Sequence, residues 1–311
     1  MRLVKLIQTL TFASFFACTF IIASSAVEKI DEFSEQKLEK QHFAYVAFKG
    51  NKQLVVVDGV EGPEYNGIIL GSLIFSPDGN RIAYAAGKGE KQVVVIDGVE
   101  GPEYDWVAMP IFSPDGKRIA YDAAKGEMEL VVVDGVEGPE YGLTLAPIFS
   151  PDGKRIAYIA EKNEIHLVVV DGVEGPGYDL TSVPIFSPDG EHVAYTAQKG
   201  QKQFVVVDGV EGSEYDGIGE SGAIFSPDSQ RIAYSVQKGP KWLVVIDGKE
   251  GPEYDLISKD TIMFSPDNKH IAYGAEKNEK QLVVVDGVEG PGYDEIGDGS
   301  LIFSGTSPST E

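Results

Sequence analysis

A phrase of 37 to 39 residues that recurs around the chain, four strand-like runs in each copy, and a first copy lacking the one strand that the last segment supplies predict an all-β fold: a seven-bladed β-propeller of four-stranded antiparallel blades. The phenylalanine that opens FSPD falls at Phe75, Phe112, Phe149, Phe186, Phe225 and Phe264, at spacings of 37, 37, 37, 39 and 39, and Phe303 ends the series. The aspartate of a second phrase, VVVDG or VVIDG, falls at Asp58, Asp97, Asp134, Asp171, Asp208, Asp247 and Asp286. Each series counts seven.

The unit at 183–218, VPIFSPDGEHVAYTAQKGQKQFVVVDGVEGSEYDGI, predicts its strands in order. PIF is the first, ended by Ser187, Pro188, Asp189 and Gly190, a type I turn with proline second and glycine fourth. HVAYTA is the second, and a polar Gln-Lys-Gly-Gln loop leads to the third, FVVV, whose unbroken apolar run implies cover on both faces. Asp208-Gly209 tolerates positive φ and suits a two-residue hairpin. The fourth strand carries glutamates and, in six of seven copies, a Gly-Pro pair such as Gly62-Pro63; proline cannot donate to a ladder, so this strand belongs at an outer edge.

A solenoid of the same period is the structural alternative, and the ends of the repeat separate the two. The first copy opens in mid-unit at His42, Phe43, Ala44 and Tyr45, and residues 301–304, Leu-Ile-Phe-Ser, form a lone first strand. Seven blades are complete only if 301–304 pairs beside 42–46, closing a ring over residues 42–304.

Ahead of the repeat, Arg2 and Lys5 precede an uncharged run from Leu6 to Ile22 and the small residues Ala23, Ser24, Ser25 and Ala26, which reads as a signal peptide (1–26) cleaved after Ala26. A charged lead-in follows at 27–41, and the small, polar tail at 305–311 is expected to be disordered. Cys18, the sole cysteine, lies in the leader, so the mature chain has neither disulfides nor thiol chemistry. Removing the leader leaves 24 basic residues against 49 acidic, a formal charge of −25 that repels nucleic acid and anionic lipid. The expectation is a periplasmic or extracellular monomer without membrane insertion.

Units of the form PxFSPDGKRIAYxAxKGxxxLVVVDG resemble the WD40-like (PD40) repeats of the TolB propeller and, more distantly, the propellers that precede prolyl-oligopeptidase-type hydrolases. The resemblance covers about residues 42 to 304. It implies a four-stranded-blade propeller outside the cytoplasm. The lead-in is too short for the amino-terminal domain of TolB, the hydrolase domain has no counterpart, and the VEGPEYD phrase departs from the usual pattern. Fold and compartment follow from the resemblance, activity does not.

Residues repeated once per blade read as frame. All fourteen tyrosines lie in the repeat, in columns typified by Tyr84 and Tyr104, and are expected to pack neighbouring blades rather than line a sugar site. The column His42, Arg81, Arg118, Arg155, His192, Arg231 and His270 is expected to pair with the turn aspartates Asp78, Asp115, Asp152, Asp189, Asp228 and Asp267, not to bind metal. His166 reads as a surface side chain. Lys49, Lys88, Lys125, Lys162, Lys199, Lys238 and Lys277 are expected on one face, and Glu61, Glu100, Glu137, Glu174, Glu211, Glu250 and Glu289 on the opposite one.

Chemistry-bearing motifs are scarce: no HExxH, phosphate-cradling glycine loop or calcium loop occurs, and no cofactor is called for. Gly219-Glu220-Ser221-Gly222-Ala223 resembles a nucleophile elbow but lacks its final glycine and its helix. The copies differ most in segments predicted as loops joining each fourth strand to the next first strand, holding Trp106, Met109, Thr144, Thr181, Ser182, Glu220, Ser221, Ser258, Lys259, Asp260 and Asp298. Loops on a rigid frame collect binding residues, so these are the candidate contacts for a protein or cell-envelope component. The expected function is a non-catalytic exported binding scaffold. A rival reading is a propeller lyase or hydrolase using Glu220, Asp260 or Asp298 as acid or base.

Overall fold

Each unit is organised by its third strand. Leu130, Val131 and Val132 are all buried, and since successive strand residues point to opposite faces, both faces of that strand must be covered. The computed structural model, which describes residues 42–297 and 299–304, meets this demand with seven antiparallel sheets in chain order. Sheet 1 covers 44–61, sheet 2 67–100, sheet 3 106–137, sheet 4 143–178, sheet 5 180–211, sheet 6 217–250 and sheet 7 256–289. The expected leader, lead-in and tail lie outside the described residues, as does Asp298.

Sheet 3 is representative. Its inner strand comes in two pieces, Trp106–Val107 and Ile111–Phe112, both paired with the second strand, Ile119–Lys125; the third strand, Met128–Val133, and a short outer strand, Val136–Glu137, complete it. The Ser-Pro-Asp-Gly turn forms as expected: Gly116 N–H donates to the Ser113 carbonyl at 2.8 Å, and Asp115 accepts from the Ser113 hydroxyl at 2.7 Å. Asp134 and Gly135 sit at φ of 53° and 79°, the double left-handed step of a type I′ hairpin. Past its Gly-Pro pair the outer strand still hugs the third, with Gly138 N–H on the Val131 carbonyl and Tyr141 bridging Glu129. A Cβ at Gly138 would stand 3.0 Å from that carbonyl, which is why glycine recurs there.

Adjacent sheets are fastened by one recurring set of contacts, seen where sheet 2 meets sheet 3. Tyr104, at the edge of sheet 2, lies edge-on to Tyr121 at 6.3 Å and donates its hydroxyl to Glu137 at 2.9 Å. Gln92 Oε1 accepts the Val107 N–H of the next inner strand at 3.0 Å. Arg81 donates to the Lys117 carbonyl at 2.6 Å and stacks over Phe112. Edge-on tyrosine pairs recur at Tyr65–Tyr84, Tyr141–Tyr158, Tyr178–Tyr195 and Tyr254–Tyr273, so the tyrosines pack sheet against sheet as expected.

Three expectations need correction. The Arg/His column pairs within its own sheet with the hairpin aspartates, Arg81 with Asp97, Arg118 with Asp134, Arg155 with Asp171, His192 with Asp208, Arg231 with Asp247 and His270 with Asp286, not with the turn aspartates. Register is the reason: Ala83 stands opposite Ile96, which sets position 81 beside Asp97, while the turn aspartates are already held by serine hydroxyls. The lysines and glutamates do not divide between two faces, because each lysine meets the glutamate of its own sheet, from Lys125 and Glu137 at 2.5 Å to Lys162 and Glu174 at 3.2 Å. The outer strand doubles back along the third, and the long lysine side chain lies over a tyrosine ring to reach it, as Lys199 does over Tyr178. His166 is half-buried in its third strand, 3.9 Å from Glu161, and not a freely solvated side chain.

Sheet 1 has three strands, and 301–304 carries no strand assignment, so the expected closing ladder is no part of the described structure.

Two measurements test this frame. Tyr104→Phe should cost about 1 kcal/mol in chemical unfolding, whereas Tyr141→Phe, whose buried hydroxyl has no hydrogen-bond partner, should be neutral or stabilising; equal losses would sink the assignment. The Ser76 and Ser113 hydroxyls, aided by Asn80 and Lys117, hold Asp78 and Asp115 down at about 2, from 3.8. A carboxylate with a depressed folded pKa stabilises above its unfolded pKa and ceases to as pH falls through the folded one. The melting advantage of the wild type over a Ser76→Ala, Ser113→Ala double variant should therefore be constant above about pH 4 and shrink between about pH 4 and 2.

Candidate functional site: the bulges of the inner strands

The segments in which the copies differ are not connecting loops but the middles of the inner strands. In sheet 3, Val107 faces Ala123 and Ile111 faces Ala120, so 108–110 stand opposite two residues, a bulge of one. Sheets 4 and 5 also carry one extra residue, between Leu145 and Ile148 and between Thr181 and Ile185. Sheets 2, 6 and 7 carry three, between Ile68 and Ile74, Ile218 and Ala223, and Ile257 and Met263. This accounts for the repeat lengths, since the 37-residue intervals enclose the single-residue bulges and the 39-residue intervals the triple ones.

Hydroxyls pin several bulges to the frame. Ser72 Oγ accepts the Ala85 N–H at 3.0 Å, Ser182 Oγ that of Thr196 at 3.0 Å, and Thr261 Oγ1 that of Gly274 at 3.0 Å, each supplying a ladder acceptor that the bulge displaced. Gly71, Ala146, Gly222 and Asp260 adopt the positive φ that such reversals need.

The candidate residues divide accordingly. Trp106 lies in the first piece of its strand opposite Ala124 and is partly exposed, and Met109 projects from the bulge, 56% exposed. Thr144 and Thr181 are strand residues buried opposite Ala160 and Ala197, which corrects their placement on a surface loop. Ser182 is a bulge pin. Four others come together across the seam of sheets 6 and 7: Lys259 Nζ meets Glu220 Oε2 at 2.9 Å, Ser221 Oγ donates to Asp260 Oδ1 at 2.7 Å, and Asp260 N–H returns to Ser221 Oγ at 3.0 Å. Ser258 donates its backbone N–H to the Gly274 carbonyl. Asp298 lies outside the described residues. Two of the three carboxylates offered for acid–base work are thus bound to a neighbour, Glu220 to an ammonium and Asp260 to a hydroxyl. Ser221 sits inside the strand Gly217–Phe225, not at a strand-to-helix elbow.

Sequence reading missed Leu70, 96% exposed at the tip of the sheet 2 bulge, because it sits among Ile68, Ile69, Leu73 and Ile74 and so looks like one more core-facing apolar residue. A Cβ at Gly71 would touch Met109 Sδ at 3.6 Å, so the bulges of sheets 2 and 3 adjoin. With Leu145 and Val183, also exposed, sheets 2 to 5 present apolar bulges, whereas those of sheets 6 and 7 are charged.

No family model matches the chain, and no curated protein does. Among solved structures it is similar to TolB from Acinetobacter baumannii, with 16% identity over 79% of this chain and 78% of that one and a TM-score of 0.34. The β-propeller domain of the Trilobed protease from Pyrococcus furiosus, described as having an open velcro topology, is 15% identical over 80% of this chain and 91% of its own, with a TM-score of 0.37. A putative TolB from Agrobacterium tumefaciens is 15% identical over 69% and 89%, with a TM-score of 0.30. With TM-scores below 0.5, the architecture of this chain rests on its own ladders and seams.

Proposed function

We propose that the chain is a non-catalytic binding scaffold, exported and monomeric, in which a closed seven-bladed propeller presents the inner-strand bulges to a protein or cell-envelope component, without cofactor. The supporting observation is the contrast between frame and bulge. Turns and hairpins repeat nearly unchanged, while the bulges alone vary in length, differ most in character, and leave apolar side chains such as Leu70 and Met109 in solvent. Export rests on the leader-like opening of the sequence.

Closure is supported by register. Gln281 Oε1 accepts the Ile296 N–H at 2.7 Å, the bond by which Gln53 and Gln203 hold Ile68 and Ile218. From Ile296 to Phe303 is the same seven-residue step as from Ile68 to Phe75 and from Ile218 to Phe225, that of an inner strand with a triple bulge. Such a strand would lie beside Ala44–Lys49, the second strand of sheet 1, which pairs on its other edge with Lys52–Val57. Tyr293 and Tyr45 are 53% and 50% exposed where their counterparts in the other sheets are buried, and closure would cover both.

Two experiments test the proposal. Deleting 293–311 should lower the melting temperature by more than ~5 °C, and deleting 305–311 should leave it unchanged; equal melting temperatures would count against closure. For binding, the mature protein is compared in envelope pull-downs with a Leu70→Ser, Met109→Ser variant and with a Trp106→Ala, Lys259→Ala, Asp260→Ala variant. A partner lost with either set supports the bulges as the contact. One retained equally by all three proteins removes them, and turnover of a polysaccharide or ester abolished by Glu220→Gln would establish the enzyme instead.

A further inference from the structure

One seam departs from the rest at three places at once. In each second strand, the residue after the repeated tyrosine points away from that tyrosine's face: Val46, Ala85, Asp122, Ile159, Thr196, Ser235 and Gly274. Ala85 shares a core cluster with Val107, from the next inner strand. At the equivalent places between sheets 3 and 4 stand Asp122 and Thr144, and among the described seams only this one has a polar residue at both. The third-strand residue at the next inner strand is Gln53, Gln92, Gln203 or Gln281 in four seams, His166 and Trp242 in two, and an acid only here, Glu129, whose Oε2 takes the Thr144 N–H at 2.9 Å.

The Asp122 and Thr144 oxygens are turned into a dry interface, with Glu129 half-buried at its margin. Asp122 is 6% exposed, and neither its Oδ1 nor the Thr144 hydroxyl, also buried, makes a hydrogen bond. Burial pushes the Asp122 carboxyl up to about 6; Glu129 adds to the rise and the adjacent Thr144 hydroxyl opposes it, while Tyr158 faces it from sheet 4. A buried carboxylate left uncompensated is unfavourable, and the groups acting on it are an acid and a hydroxyl, neither of them a cation.

We propose that Asp122, Glu129 and Thr144 form a site for a hard divalent cation that clamps sheet 3 to sheet 4. Two carboxylates match its charge, and an all-oxygen donor set without sulfur or imidazole selects the calcium and magnesium class. Calcium fits better, because its shell tolerates irregular geometry and is completed by backbone carbonyls and water, whereas magnesium demands a near-ideal octahedron.

The probe is Ca2+ itself, titrated calorimetrically into the mature protein near pH 7.5 at about 0.15 M salt, which damps the diffuse attraction of the acidic surface. Wild type should show one saturable site that Asp122→Asn lacks, and Thr144→Val, which removes one oxygen without changing charge, should weaken it about tenfold. Relative to chelator, Ca2+ should raise the melting temperature of the wild type and leave that of Asp122→Asn unchanged. If Asp122→Asn does not fold, the Thr144→Val titration decides by itself. Isotherms indistinguishable between wild type and Thr144→Val, or a calcium-induced melting shift equal in wild type and Asp122→Asn, would overturn the site.

Discussion

The structure depends on a strand that no single sheet can satisfy. Val93, Val94 and Val95, like their counterparts in the other third strands, are apolar at consecutive positions, so each sheet has two faces to bury and only its neighbours to bury them against. Fully burying one such valine contributes about 1.5 to 3 kcal/mol. The seam contacts that follow, the tyrosine pair, the glutamine bond and the arginine over the phenylalanine, add modest energies and fix how one sheet sits on the next. Burial explains why the sheets stack, and the polar contacts explain why they stack in one register.

That division of labour explains where the sequence is free to vary. An inner strand is anchored at both ends by ladder bonds to the second strand, so its middle can gain one residue or three without disturbing either anchor. The serine or threonine hydroxyl that replaces the lost ladder acceptor keeps the backbone of the second strand satisfied across the gap. Variation is therefore channelled to one place per sheet, and it is the place where the frame tolerates an exposed leucine or a bridging ion pair.

Much of this was legible in the residues. The seven-fold count, the Ser-Pro-Asp-Gly turn, the Asp-Gly hairpin and the proline-marked outer edge are local chemistry, and each formed where its residues stand. What was not legible depends on reach and register. Lys125 meets Glu137 because a long side chain folds back over Tyr104, which strand polarity alone does not disclose. Arg81 prefers Asp97 to Asp78 because of a hairpin register that only the ladder fixes. The first pieces and bulges of the inner strands, ahead of the predicted PIF-type runs, read as loops because a bulged strand loses the two-residue periodicity by which strands are recognised. Thr144 and Thr181 were consequently placed in solvent when they belong to the interior.

A repeat also supplies its own control, which single-copy proteins lack. Whatever Asp122 does, the same position in six other units shows that the fold does not require it, since valine, alanine, isoleucine, threonine, serine and glycine all serve there. An uncompensated polar group in such a seam costs about 1 to 3 kcal/mol, yet the flanking contacts are intact, with Tyr141 still edge-on to Tyr158 and Arg118 still on the Lys154 carbonyl. The frame can carry that cost in one seam because none of the other described seams is polar at both positions. The same redundancy that hides the frame residues, by making each look replaceable, exposes the few positions where one copy departs from all the others. Function is best sought in those departures: the apolar bulges of sheets 2 to 5, the charged bulges of sheets 6 and 7, and the acidic seam between sheets 3 and 4.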